Sequence, residues 1–290
     1  AMQASVPMLA PAEQLTRIAG INQVIFSVSN IAGPALGALL ITLWDLEYVL
    51  LLDVAGALIA VTSLFFVHIP NPEQKEDKRI RVFDEMKEGI MEVLKNRGLS
   101  FVFLYDIIAF FFIMPVSVLF PLMTLRYFGG TELQAGYIEA ICSVGAFIGG
   151  TIMGAKVYKV NRVTLINGMY LVLGASFLVS GLLPSSGFIG FAVLTAIGGV
   201  SGAVFSSAFT GLLQTKIEPG ALGRVFSMFN TFSLIPAMLG LIGIGFFADG
   251  LGLTAAFLLC GAGIIGVGRI AFLTPSAMLL YEDNAAGKGG

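Results

Sequence analysis

Long apolar runs and short polar breaks alternate along this chain. The first run covers about Ile21 to Leu43 and the second about Tyr48 to Ile69. Six more follow, at about Ser100 to Arg126, Leu133 to Ala155, Val163 to Leu183, Phe188 to Leu213, Val225 to Ala248 and Leu253 to Leu273. Each holds about 20 residues or more, enough at about 1.5 Å per residue to cross the roughly 30 Å hydrocarbon layer of a bilayer. The pattern predicts an all-α, polytopic membrane protein with eight transmembrane helices.

One interval breaks the pattern. Ile69 to Gly98 holds 14 of the chain's 34 Lys, Arg, Asp and Glu residues. Its first part, NPEQKEDKRIR, reads as solvated linker. Its second part, VFDEMKEGIMEVLKNRG, places Phe83, Met86, Ile90, Val93 and Leu94 at helical spacing between charges. That spacing predicts an amphipathic helix along the membrane surface or under the bundle, the alternative being a linker helix that touches nothing. The chain therefore divides into residues 1–19, the end of a helix and a loop, and 20–69, two transmembrane helices. Residues 70–99 form the charged linker, and 100–290 six helices with a short tail.

Composition agrees. Hydrophobic residues make up 57% of the chain and charged residues 12%, with mean hydropathy +0.91. A soluble domain is about a quarter charged, so the expected solvent is lipid. The net charge of −2 comes with no basic patch, which argues against nucleic acid. Cys142 and Cys260 fall in separate apolar runs and read as packing residues rather than a disulfide or metal site. With one His, and without HExxH, GxSxG or a phosphate-binding GxxxxGKS/T run, no enzyme, metal centre or cofactor is expected. His68, at a helix end beside Pro70, reads as structural.

Charge in the breaks predicts orientation. Arg17 precedes the first run, seven Lys and Arg residues lie between the second and third, Lys156, Lys159 and Arg162 between the fourth and fifth, and Lys216 and Arg224 between the sixth and seventh. The alternate breaks, around Asp45, Pro184 and Asp249, carry none, and Arg126 is the exception. The positive-inside rule then puts both ends and the charged linker on the cytoplasmic face of a cell membrane.

Two stretches carry motifs. GINQVIFSVSNIAGPALG in the first helix brings Gly20, Ser29, Gly33, Pro34 and Gly37 into one run. Small residues at such spacings let another helix approach closely, and Pro34 should bend the helix. Between the fourth and fifth helices, GGTIMGAKVYKVNRVTL holds Gly154, Lys159 and Arg162. The first run resembles the antiporter motif of the major facilitator superfamily, found in that family's fifth helix, with Ser29 in place of a glycine. The second resembles a degenerate copy of the family's basic loop motif, Tyr158 standing for an Asp and Asn161 for a Gly. The linker entering Ser100 also looks like that of macrolide-efflux-type members. Pure packing and pure positive-inside anchoring are the alternative readings of the two motifs. The resemblance implies that the chain is equivalent to helices 5–12 of a twelve-helix fold, lacking the first four. An internal echo fits two parallel repeats: Leu51, Leu52, Ala55 and Gly56 align with Leu258, Leu259, Ala262 and Gly263. Coincidence between apolar helices would explain the echo equally.

Ionisable groups inside a bilayer are costly and usually functional. Asp106, about two turns into the third helix, and Glu139, about two turns into the fourth, are candidates for a coupling proton or a cationic substrate, unless they are helix-end groups in headgroups or cavity water. Asp53 and Arg269 sit nearer helix ends and read as interfacial. Asn22, Gln23, Asn30, Asn167, Gln214 and Asn230 could line a polar cavity or bond helix to helix. The resemblance implies a monomeric secondary transporter, embedded in lipid, that exports drug-like amphipathic small molecules against protons. The alternatives are a transport-incompetent fragment, since a cavity between two halves needs both, and a membrane scaffold without transport.

Overall fold

The computed structural model describes residues 6, 10–44, 46–65, 82–155 and 160–274. Among them the chain is helical: α1 (Leu15–Leu43), α2 (Leu46–Phe65), α3 (Val82–Lys95), α4 (Arg97–Leu122), α5 (Glu132–Ala155), α6 (Arg162–Leu182), α7 (Phe188–Lys216), α8 (Pro219–Leu251) and α9 (Leu253–Leu273). A short 3-10 turn, Ala12–Gln14, leads into α1, and a π-helical turn, Met123–Tyr127, extends α4. Six stretches are long and apolar enough to cross a membrane: Arg97–Tyr127, Glu132–Ala155, Arg162–Leu182, Phe188–Lys216, Pro219–Gly243 and Leu253–Leu273. They match the last six apolar runs of the sequence. In α1 and α2 some side chains lie outside the described residues, so eight spans remain an expectation.

Local chemistry explains several boundaries. Asn96 and Asn161 cap α4 and α6, their side chains accepting from the backbone N–H of Leu99 at 3.1 Å and of Val163 at 2.8 Å. α8 begins at Pro219 rather than near Val225, because proline suits a first helical turn where its missing N–H has no partner to lose. Gly252 reverses the chain between α8 and α9 at φ 90, a value only glycine adopts freely.

Glycines set how closely the helices approach. A Cβ built on Gly199 of α7 would lie 2.1 Å from the Cys142 carbonyl oxygen of α5, and one on Gly261 of α9 would lie 2.8 Å from the Gly174 carbonyl oxygen of α6. These pairs, α5 with α7 and α6 with α9, are the most extensive contacts in the fold, followed by α1 against α5 and α6 against α7. Pro115 cannot donate to the Phe111 carbonyl, and Gly240 of α8 packs onto that oxygen, where a Cβ would lie 2.2 Å away. α4 is thereby held between α8 and α9.

α3 falls within the charged stretch. It lies against α8 and α4, with Val93 buried and Glu88 paired to Arg224. α2 makes only a small contact with α1, and Ile59 on it is 72% exposed.

Candidate functional site

Asp106 stands nine residues beyond the start of α4, about 14 Å along the helix axis and roughly a third of the way through the membrane-spanning stretch Arg97–Tyr127. Its side chain is 0% exposed. The Tyr170 hydroxyl, from α6, donates to Asp106 Oδ1 at 2.9 Å. Asp106 Oδ2 is buried with no hydrogen-bond partner among the described residues. Tyr170 is eight residues past Arg162, about 12 Å along α6, so the two groups meet at matched depth. The Tyr170 ring packs on Phe205 of α7 with centroids 5.3 Å apart. From there an aromatic row runs through Phe209 to Phe229 of α8 and back to Phe103 and Phe110 of α4. The carboxyl group thus sits in an apolar, aromatic interior with one donor aimed at it.

A second polar cluster lies where α1, α6 and α7 meet at one end of the bundle. Arg162 opens α6 and donates three hydrogen bonds: Nε to Thr16 Oγ1 at 2.7 Å, Nη1 to Thr215 Oγ1 at 2.6 Å and Nη2 to the Ala12 carbonyl at 3.2 Å. The Thr215 hydroxyl in turn donates to the Gly211 carbonyl at 2.6 Å. Arg17 Nε donates to the Gly154 carbonyl at 2.9 Å. The basic loop motif of the sequence is therefore an interhelical clamp at Gly154 and Arg162, while Lys159 lies outside the described residues. Beside it, Gln214 lines a cavity of about 320 Å³ with Ala12, Leu15 and Thr215.

The other sequence candidates are dispersed. Glu139 is exposed on α5 and does not meet the enclosed Asp106. Asn167 is buried on α6, Asn22 and Gln23 are half-buried on α1, and Asn30 and Asn230 are exposed. None of these five lines the Gln214 cavity. The small-residue run of α1 divides. Gly20 packs on α5, where its Cβ would lie 2.6 Å from the Gly154 nitrogen, whereas Ser29 is exposed and a Cβ on Gly33 would meet nothing within 4 Å. Nine residues separate Gly20 from Ser29, about two and a half helical turns, so they lie on opposite faces. Pro34 and Gly37 fall inside α1 with undescribed side chains, as Asp53 does in α2, and His68 lies outside the described residues. Arg269 is exposed near the end of α9.

Sequence reading missed Tyr170, Thr16 and Thr215. A tyrosine in the middle of an apolar run is the one signal it offered, since a buried phenolic hydroxyl needs a partner.

Comparison with known proteins agrees with this architecture. The sequence profile of the Major Facilitator Superfamily matches residues 1–241. The chain is 38% identical to macrolide efflux protein A of Streptococcus pyogenes over 270 residues, which cover 91% of this chain and 66% of that protein. It is 38% identical to macrolide efflux protein A of Enterococcus faecalis over 246 residues, 83% of this chain and 75% of that protein. The multidrug efflux pump Tap of Mycobacterium tuberculosis is 27% identical over 272 residues, 90% of this chain and 62% of that protein. The chain thus spans about two thirds of the length of these curated relatives. With six bilayer-length apolar helices and a matching profile over most of its length, the chain belongs to the Major Facilitator Superfamily.

Proposed function

We propose that this chain is part of a secondary active transporter that exports drug-like, amphipathic small molecules, macrolides among them, in exchange for protons. The efflux class rests on the 38% identity to two proteins named for macrolide efflux. The proton rests on one observation: a fully enclosed carboxyl group within a membrane-spanning helix, one of whose oxygens has no partner among the described residues. An ionisable residue is kept at such a place, at high cost, when it has work to do. Protonation of Asp106 removes a charge from the interior of α4, and its release restores it. That change favours different arrangements of α4 against α6, which is the differential a coupled transporter requires. In this reading the ends carrying Arg162 and Arg224 face the cytoplasm, α3 lies beneath the bundle, and Glu139 serves the opposite opening. The protein acts as a monomer in the inner membrane and performs no enzymatic step.

The protein as encoded at its own locus, reconstituted into liposomes, tests the reading. Macrolide flux should rise several-fold with an imposed pH gradient. A flux indifferent to that gradient contradicts proton exchange. A second reading, that the 290 residues alone do not transport, is favoured by the exposure of nearly all described side chains of α2. Liposomes holding only the 290-residue chain should then show no flux, and robust flux there overturns that reading.

A further inference from the structure

We propose that Tyr170 is the positioning residue of the Asp106 site: its hydroxyl fixes Oδ1 and leaves Oδ2 as the oxygen at which a proton is taken up and released. This rests on the proton-exchange reading above and deepens it. Three observations carry it. First, the contact is specific. The Tyr170 hydroxyl is the donor within reach of the carboxyl group, at 2.9 Å, and it comes from another helix, 64 residues away. Second, both partners are closed off from bulk solvent, Asp106 at 0% and Tyr170 at 1% exposure. Third, Oδ2 is enclosed and unbonded among the described residues. The two oxygens of one carboxyl group are thus made unlike by their surroundings.

Among the described residues, the remaining charged groups on the helices packed against α4 stand elsewhere. Arg269 of α9 is exposed, Arg224 of α8 pairs with Glu88 of α3, Lys95 of α3 pairs with Glu92, Lys87 of α3 and Arg97 at the start of α4 are exposed, Glu139 and Glu132 of α5 are exposed, and Lys216 lies in the last turn of α7. On α6 the other ionisable group, Arg162, is committed to Thr16, Thr215 and Ala12. Tyr170 is therefore the group that tunes Asp106. The tyrosine keeps its proton throughout. In the charged state its O–H donates to the carboxylate, and on protonation the new proton sits on Oδ2 while Oδ1 keeps the same donor. The ring fixes the hydroxyl in turn. It lies against Phe205, and a Cβ on Gly268 of α9 would come within 3.1 Å of the Tyr170 Cβ, so the side chain has little room to swing away.

A donor to a carboxylate favours the ionised form. Removing it in Tyr170→Phe, which keeps the ring, should displace the pH profile of macrolide flux toward the alkaline side by about one to two pH units, the size of one bond to a charged group. Asp106 in that variant should also react about tenfold faster with a hydrophobic carbodiimide, a reagent selective for protonated carboxyl groups in apolar sites, as one pH unit implies. Replacing Tyr170 by 3,5-difluorotyrosine keeps the shape and strengthens the donor, so it should displace both readouts the opposite way. This second replacement decides the matter if Tyr170→Phe does not fold. Unchanged pH profile and unchanged labelling in the folded variants overturn the role of Tyr170. Asp106→Asn separates the two ideas: if it keeps the normal pH response, proton exchange at Asp106 fails, and the labelling of Asp106 in the Tyr170 variants still decides whether Tyr170 controls that carboxyl group.

Discussion

Two polar clusters in this chain differ in every respect that sets their energetics. Arg162 makes three hydrogen bonds at the end of the bundle, half-buried, with acceptors from two other segments. Asp106 accepts one bond in the interior of the bundle, sealed from solvent, and keeps one oxygen without a partner among the described residues. Solvent can replace a lost partner at the first, whereas the second is closed to solvent in this arrangement of the helices. The richly bonded cluster is thus built to hold α1 onto α6 and α7, and broken bonds there are replaceable. The sparsely bonded one is costly, and its cost is tied to the charge on a single group.

Mutations can break this contrast, and the largest effect should fall on transport. Asp106→Asn keeps the shape of the side chain but cannot take up and release a proton, and macrolide flux driven by a pH gradient should fall to that of empty liposomes. Next is Asp106→Ala, which leaves the Tyr170 hydroxyl without an acceptor in an apolar interior. It should lower stability by about 2–4 kcal/mol, read by thermal unfolding in detergent. The double replacement Asp106→Leu with Tyr170→Phe removes both polar partners together. Its stability should lie within about 1 kcal/mol of the parent while transport stays lost, because apolar substitution of a whole buried pair is close to neutral. That outcome would separate the role of the pair in function from any role in holding the fold.

At the other cluster the expected losses are smaller. Arg162→Ala should cost about 1–3 kcal/mol and loosen α1, seen as faster hydrogen exchange over Leu15 to Ser27. Arg162→Lys should recover little of it, since an ammonium on a flexible stem does not reproduce a fork of three donors. The smallest effect belongs to the Glu88–Arg224 pair, whose side chains are 42% and 40% exposed. Glu88→Gln should change stability by about 1 kcal/mol at most, and less in high salt.

The contrast also marks what a sequence can carry. The last six helices were legible because an apolar run of bilayer length admits one local structure. Where each helix starts was less so: Pro219 opens α8 six residues before Val225, through a preference local to the first turn. That small residues would mediate close packing was legible from the run in the first helix, but not that Gly199 would meet Cys142 or Gly240 the carbonyl freed by Pro115, since partners depend on how helices are arranged in space. Asp106 stood out as a charge within an apolar run. Its partner did not, because Tyr170 is 64 residues away. Arg162 was readable as a positive end-charge, while its acceptors lie 146, 53 and 150 residues away. The small-residue run of α1 shows a different gap. Counting 100° per residue puts Gly20 and Ser29 on opposite faces, and proximity along the chain concealed it.

The central claim is that Asp106 carries the proton exchanged for substrate, and the direct measurement is proton movement itself. Liposomes containing the protein as encoded at its own locus, loaded with a pH-sensitive dye and given a macrolide gradient without any imposed pH gradient, should move protons opposite to the macrolide. Liposomes containing Asp106→Asn, with the protein folded and inserted to the same extent, should move none. Equal proton movement in the two preparations would contradict the account.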